Sequence, residues 1–181
     1  KLADANAQAA LALLAAADRL EQPAMAAYGR RALDFVLTDL LHDGRLYHIR
    51  KGGRRSVADL PADLFWVLLA GDAVQARVPE PARGERLARV ARLAADWLRR
   101  RMDGKEGSLP RTEVVALAAR VCGLRDRYPA LPPDCREWAL RRLALRPETR
   151  PDWLIPGLAG WEARLKGAAR SAPTPVGWRA P

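Results

Sequence analysis

Apolar residues recur at three- and four-residue steps through most of the first 145 positions, and prolines and Asp-Gly or Gly-Gly pairs interrupt them. The spacing predicts a helix over about 3–21, broken before Pro23, and a second over about 24–42, stopped at Asp43-Gly44. The second carries two apolar stripes, one of Tyr28, Ala32, Phe35 and Val36, the other of Leu33, Leu37, Leu40 and Leu41. A helix apolar on two sides is expected to pack between neighbours. Residues 43–56, DGRLYHIRKGGRRS, break the helical period. Leu46, Tyr47 and Ile49, followed by Gly52-Gly53, predict a short β-hairpin near 46–57. Helical spacing resumes over about 61–78. Pro79 and Pro81 then open a fourth helix that ends at Asp103-Gly104. Its stripe is Leu87, Val90, Ala91, Ala94, Trp97 and Leu98, which leaves Arg83, Arg86, Arg99 and Arg100 on a wet face. A fifth helix over about 111–128 and a sixth over 134–145 follow. The expected core includes Phe35, Leu37, Leu68, Trp97, Val121 and Trp138.

The elements repeat. RRALDFVLTDLLHDGRL answers RLAADWLRRRMDGKEGSL, and the first helices of successive pairs start near Asn6, Asp59 and Glu113, steps of 53 and 54 residues. Two antiparallel helices and a loop account for such a period, and stacked hairpins bury what one hairpin leaves exposed. The expectation is an all-α domain of three hairpins over 1–145, followed by a Pro/Arg/Trp-rich extension over 146–181. An open arc of three hairpins leaves apolar faces uncovered at its ends. Further sequence before Lys1, or a partner in a larger assembly, is therefore expected.

Composition sharpens this picture in three ways. The chain is 49% apolar and 29% charged, rich in Ala, Leu and Arg and poor in β-branched residues, which favours a helical, globular fold. Its net charge of +10 suggests anionic partners such as nucleic acid, acidic protein surfaces or anionic lipid, although a solvated arginine-rich surface gives the same balance. No apolar run is long enough to span a bilayer. Neither an initiator Met nor a signal pattern opens the chain, which reads as a truncated or processed start and leaves the compartment open, with a soluble, cytoplasmic protein slightly favoured. Cys122 and Cys135 do not make a disulfide framework; they could pair if their helices are adjacent, but two reduced, half-buried thiols are expected. There is no P-loop, dinucleotide glycine motif, Gly-x-Ser-x-Gly element or zinc-knuckle spacing, and no cofactor or metal is expected.

The stretches KLADANAQAALALLAAADRL, AMAAYGRRALDFVLTDLLHDGRLYHI and GGRRSVADLPADLFWVLLAGDAV carry a resemblance. They look like the helical C-terminal region of the bacterial relatives of spermatogenesis-associated protein 20. Lys1, Leu2 and Asn6 match that family's opening motif, Asp43 to Leu46 its DGRL, and Asp59 part of its Asp-Asp-Tyr-Ala. The match covers roughly residues 1–130. Ala5 stands where the family has Trp, and the later motif reads DLPADLF. The resemblance implies an (α/α) toroid of the six-hairpin glycosidase type that follows a thioredoxin-like domain, although this chain has no Cys-x-x-Cys.

Toroids of that class often carry paired carboxylates in a central cleft, one acting as acid and the other as base or nucleophile. Asp43, Asp59 and Asp63, with Glu113, would fill those roles here. Read from their positions alone, Asp59 and Glu113 instead cap or charge-compensate helix starts. His42 and His48 flank the Asp43-Gly44 loop as expected solvent-facing residues, a partial metal set with Asp43 that lacks a third ligand. Arg45, Arg50, Lys51, Arg54 and Arg55 surround Tyr47 and His48, a mixture that nucleic-acid surfaces use and that exposed hairpin tips also tolerate. Trp66, Trp97 and Trp138 fall in helical stripes. Trp153, Trp161 and Trp178 sit among prolines and read as anchors for a partner or for this domain. Together these features favour a non-catalytic module for protein–protein interaction. A sugar-processing toroid and nucleic-acid binding through 45–55 stand as alternatives.

Overall fold

The computed structural model describes residues 2–104 and 111–144. Among the described residues six helices follow one another: α1 (Ala3–Leu20), α2 (Pro23–Phe35), α3 (Pro61–Arg77), α4 (Pro81–Met102), α5 (Thr112–Cys122) and α6 (Cys135–Ala144). Proline opens α2, α3 and α4 at the first turn, where its missing N–H costs no helical bond. Only Glu21 and Gln22 separate α1 from α2, and only residues 78–80 separate α3 from α4, so each pair must fold back antiparallel.

α1 packs against α2 and α3, α3 against α4 and α5, and α5 against α6. The first helices of the three hairpins therefore form one layer, α1–α3–α5, and α2, α4 and α6 back them. The first-layer starts fall at steps of 58 and 51 residues, close to the sequence repeat. α3 is the centre of this array. Leu64, Phe65, Val67, Leu68, Ala70 and Val74 are all buried, around most of its circumference. Phe65 meets Trp97 of α4 edge to face, with ring centroids 5.5 Å apart. α1 presents Ala3, Ala7, Ala10, Leu14 and Ala17 to the core, small residues that let helices approach closely. At Gly29 of α2 that approach is tight. A Cβ there would lie 2.9 Å from the Ala10 carbonyl oxygen.

The structure departs from the sequence expectations at several points. α2 stops at Phe35, runs into a π-helical turn, Val36–Leu40, and then into a short strand β1 (Leu41–His42). Apolar spacing does not distinguish Leu40-Leu41 as helix from Leu40-Leu41 as strand. The turn decides it: Asp43 and Gly44 both have positive φ, as a two-residue hairpin turn requires, so strands must flank them. Gly52 and Gly53 repeat this geometry, which gives a three-stranded antiparallel sheet of β1, β2 (Arg45–Lys51) and β3 (Arg54–Ala58) in that order. Tyr47 faces Ala58 and Lys51 faces Arg54 across the second turn. The expected hairpin is there, with one more strand than the sequence indicated.

The fifth helix ends at Cys122 rather than near 128, and turns carry the chain to α6. Those turns bring Cys122 and Cys135 to a Cα separation of 5.9 Å, and the two form a disulfide. The expectation of two reduced thiols is thus corrected. Arg83 is also not on the wet face of α4. It is buried and donates to Asp34 of α2 at 2.9 Å, Glu80 at 2.6 Å and the Val78 carbonyl at 2.9 Å. Its long stem reaches inward at the helix start, where Asp34 and the end of α3 supply acceptors. Leu37, Leu68, Trp97 and Val121 are buried as expected, whereas Phe35 and Trp138 are half-buried at the core margin. Tyr28 is 57% exposed and stacks under the Arg31 guanidinium, 4.4 Å from its ring centroid. Trp153, Trp161 and Trp178, and the 146–181 extension that holds them, lie outside the described residues.

Candidate functional site

The two leading first-layer helices, α1 and α3, start side by side against β2. Leu2, just before α1, bridges Ile49 of β2 on the edge opposite Ser56 of β3. This places Asp4, in the first turn of α1, next to His48 of β2 and Asp63, in the first turn of α3. His48 Nδ1 lies 3.0 Å from each carboxylate oxygen of Asp63 and 3.9 Å from Oδ1 of Asp4. Asp63 is 1% exposed, the His48 side chain 20% and the Asp4 side chain 31%, so the cluster runs from the interior to the surface.

A carboxylate so deeply buried needs partners. Asp63 has the imidazole and the backbone N–H of Asp4, and its helix-start position places it in the favourable field of the α3 dipole. Burial is the dominant influence on its acidity and pushes its carboxyl up from the ordinary value of 3.8. The hydrogen bond and charge of His48 oppose that rise, and the nearby Asp4 charge adds to it.

The other acidic candidates are placed elsewhere. Asp43 sits at the tip of the first turn with its side chain 80% exposed, beside His42 at 3.2 Å. Asp59 is not a helix cap. Leu60 is the residue before α3, and no side chain caps that end. Asp59 takes a left-handed backbone (φ 59°) and closes the hairpin instead. Its N–H donates to the Leu46 carbonyl at 2.7 Å, and its carboxylate accepts from the Leu46 N–H at 2.9 Å and from Arg45 Nε at 2.8 Å. Glu113 is exposed in the first turn of α5, the position expected for dipole compensation. Of Asp43, Asp59 and Asp63, then, only Asp63 is buried against a histidine. That histidine is His48, expected to face solvent in a loop and instead held on a strand.

The basic segment has structural roles as well. Arg45 pairs with Asp59, Arg50 with the Asp39 carboxylate, and Arg55 Nε donates to the Asp39 carbonyl at 2.6 Å. Asp39 lies on the π-helical turn, so these arginines fasten the hairpin to the end of α2. Lys51 and Arg54 remain exposed at the tip, and Tyr47 is half-buried at the far end of the β2–β3 pair, opposite Ala58.

Sequence reasoning missed Asp4 altogether and assigned His48 to the wrong neighbours. A helix-start Asp followed at a distance by an alternating strand gives no signal that the two will meet. Only the α1–β2 bridge brings them together. No helix among the described residues is long and apolar enough to cross a membrane. No family model, curated protein or solved structure matches this chain.

Proposed function

We propose that this chain is a non-catalytic helical-hairpin module that binds an acidic protein partner within a larger assembly, through its second layer of helices. One observation carries the reading: charge is segregated by layer. α2, α4 and α6 hold twelve arginines against four carboxylates, whereas α1, α3 and α5 hold three against five. On α4, Arg89 and Arg92 lie three residues apart on the exposed side, near Glu85, while Arg99 pairs with Asp96 and with the Ala130 carbonyl. A one-sided basic surface of this kind steers association with an anionic surface and is sensitive to salt. Three stacked hairpins with their first helices in one layer also suit a segment of an (α/α) toroid, the fold implied by the family resemblance.

Nucleic-acid binding through 45–55 is less favoured, because Arg45, Arg50 and Arg55 are engaged within the fold. The paired-carboxylate enzyme is less favoured because Asp43 stands exposed at a turn tip and Asp59 is engaged with Leu46 and Arg45. The test is affinity capture with the wild-type chain and with the double variant Arg89→Glu, Arg92→Glu. The expected result is a protein partner retained by the wild type, released as salt rises and lost by the variant. Equal retention by both would sink the proposal. So would turnover of an oligosaccharide by the wild type that Asp63→Asn abolishes without unfolding.

A further inference from the structure

The Asp4–His48–Asp63 cluster supports an inference separate from the partner-binding surface. We infer that these three side chains form a binding site for one divalent transition-metal ion, with His48 Nδ1 and a carboxylate oxygen from each aspartate as ligands.

The donor set has the right chemistry. An imidazole and two carboxylates form a mixed N/O site suited to borderline divalent ions such as zinc, cobalt or manganese. The charge also balances, since two carboxylates and a neutral imidazole are neutralised by one dication, in a place where Asp63 is almost wholly shut off from water.

Geometry supports the set. Metal–ligand bonds of about 2.0–2.1 Å at tetrahedral angles hold their donor atoms about 3.3 Å apart. Here the imidazole nitrogen stands 3.0 Å from Asp63 and 3.9 Å from Asp4, and one donor from each residue falls within 4.8 Å of the others. The three ligands also come from three ordered elements, α1, β2 and α3, and not from one flexible loop.

Surrounding contacts orient the ligands, as metal sites require. The Asp4 backbone N–H stabilises the charged form of the Asp63 carboxylate beside His48. Leu2 bridges Ile49, and Asp59 fixes Leu46 two residues before His48, so the strand cannot slide past the helix starts. Three protein ligands leave one tetrahedral position, which opens towards the surface through the partly exposed Asp4 and His48 side chains.

An ion pair between His48 and Asp63 that serves only packing needs no metal, and the experiment must separate the two. The full chain is treated with chelator, dialysed, and titrated with Zn2+ by calorimetry and with Co2+ by visible absorption. The expected outcome is one saturable site, a ligand-field spectrum of low-symmetry Co2+, and a rise in thermal midpoint with Zn2+. Asp4→Asn and His48→Gln should each weaken binding by more than the ~10–100-fold that follows loss of an outer partner. Asp4 is the least buried ligand, so Asp4→Asn is the variant least at risk of unfolding, and circular dichroism checks that it folds. His42→Gln removes the exposed histidine beside Asp43 and should leave affinity unchanged. Absence of saturable binding to the folded wild type overturns the inference. Binding that survives Asp4→Asn and His48→Gln, or that His42→Gln abolishes, overturns it as well.

Discussion

The two ends of the hairpin array are closed by different physics. At the first, the sheet and the starts of α1 and α3 meet through polar contacts: His48 on Asp63, Asp59 on Leu46 and Arg45, Arg50 and Arg55 on Asp39. At the last, α5 and α6 are joined by a covalent Cys122–Cys135 bond and by a nearly continuous apolar face, Val115, Ala116, Leu117, Ala118 and Ala119 on α5 with Ala139, Leu140 and Leu143 on α6. Even the buried phenol at that end is silent. Burial first, and then the Asp72 charge, push the Tyr128 hydroxyl up to about 12, so it stays neutral at ordinary pH. The contrast has a cause in the chain. The first connection holds an 18-residue β excursion over 41–58 whose backbone and charges must be satisfied. The last has only turns between two short helices, for which one cross-link suffices. The first end should therefore respond to pH and charge removal, and the last to reductant.

The largest expected effect ignores the contrast and so calibrates it. Leu68 is buried in α3, the helix that touches both ends. Leu68→Ala should cost about 2–5 kcal/mol, and hydrogen exchange should rise in both regions together. If only one end loosened, the array would be two independent units.

Next comes the covalent end. The disulfide closes a short loop, at a sequence separation of 13, so replacing both cysteines with serine should cost about 3 kcal/mol on the loop-entropy account. Amide protection should fall in α5 and α6 and hold in β2 and β3. Equal loss in the sheet would break the comparison.

At the polar end, Asp59→Ala removes the acceptor of the Leu46 N–H and of Arg45, at an expected cost of about 1–3 kcal/mol by chemical denaturation. Asp43→Asn, at the exposed turn tip, should stay within about 0.5 kcal/mol. A comparable loss from both would mean that turn chemistry, rather than the Asp59 clasp, holds the hairpin.

The smallest effect is a slope. Burial raises the Asp63 carboxyl above 3.8, so the folded chain binds that proton more tightly than the unfolded chain does. This contribution is complete below 3.8 and is lost as pH rises through the shifted value. Denaturant midpoints measured across that window, with chelator present, should therefore fall with pH more steeply in the wild type than in Asp63→Asn. Parallel curves would show that Asp63 titrates as it does in the unfolded chain.

Much of this molecule is legible in its order of residues. The three- and four-residue apolar steps, the prolines at helix starts, Asp43-Gly44 and Gly52-Gly53 are local signals. They fixed the helical class, the hairpin repeat and the position of the sheet, because helix periodicity and turn conformation depend on neighbours within a few residues. What they could not reach were meetings across the fold. Arg83 looked solvated because part of what makes its burial tolerable, the Asp34 carboxylate, lies forty-nine positions away on another helix. Cys122 and Cys135 looked free because turns, not helix, fill the span between them. Asp4, His48 and Asp63 became a cluster only when Leu2 joined the edge of β2 and two helix starts converged there. Each of these depends on distances set by packed elements, which no local pattern in the chain encodes.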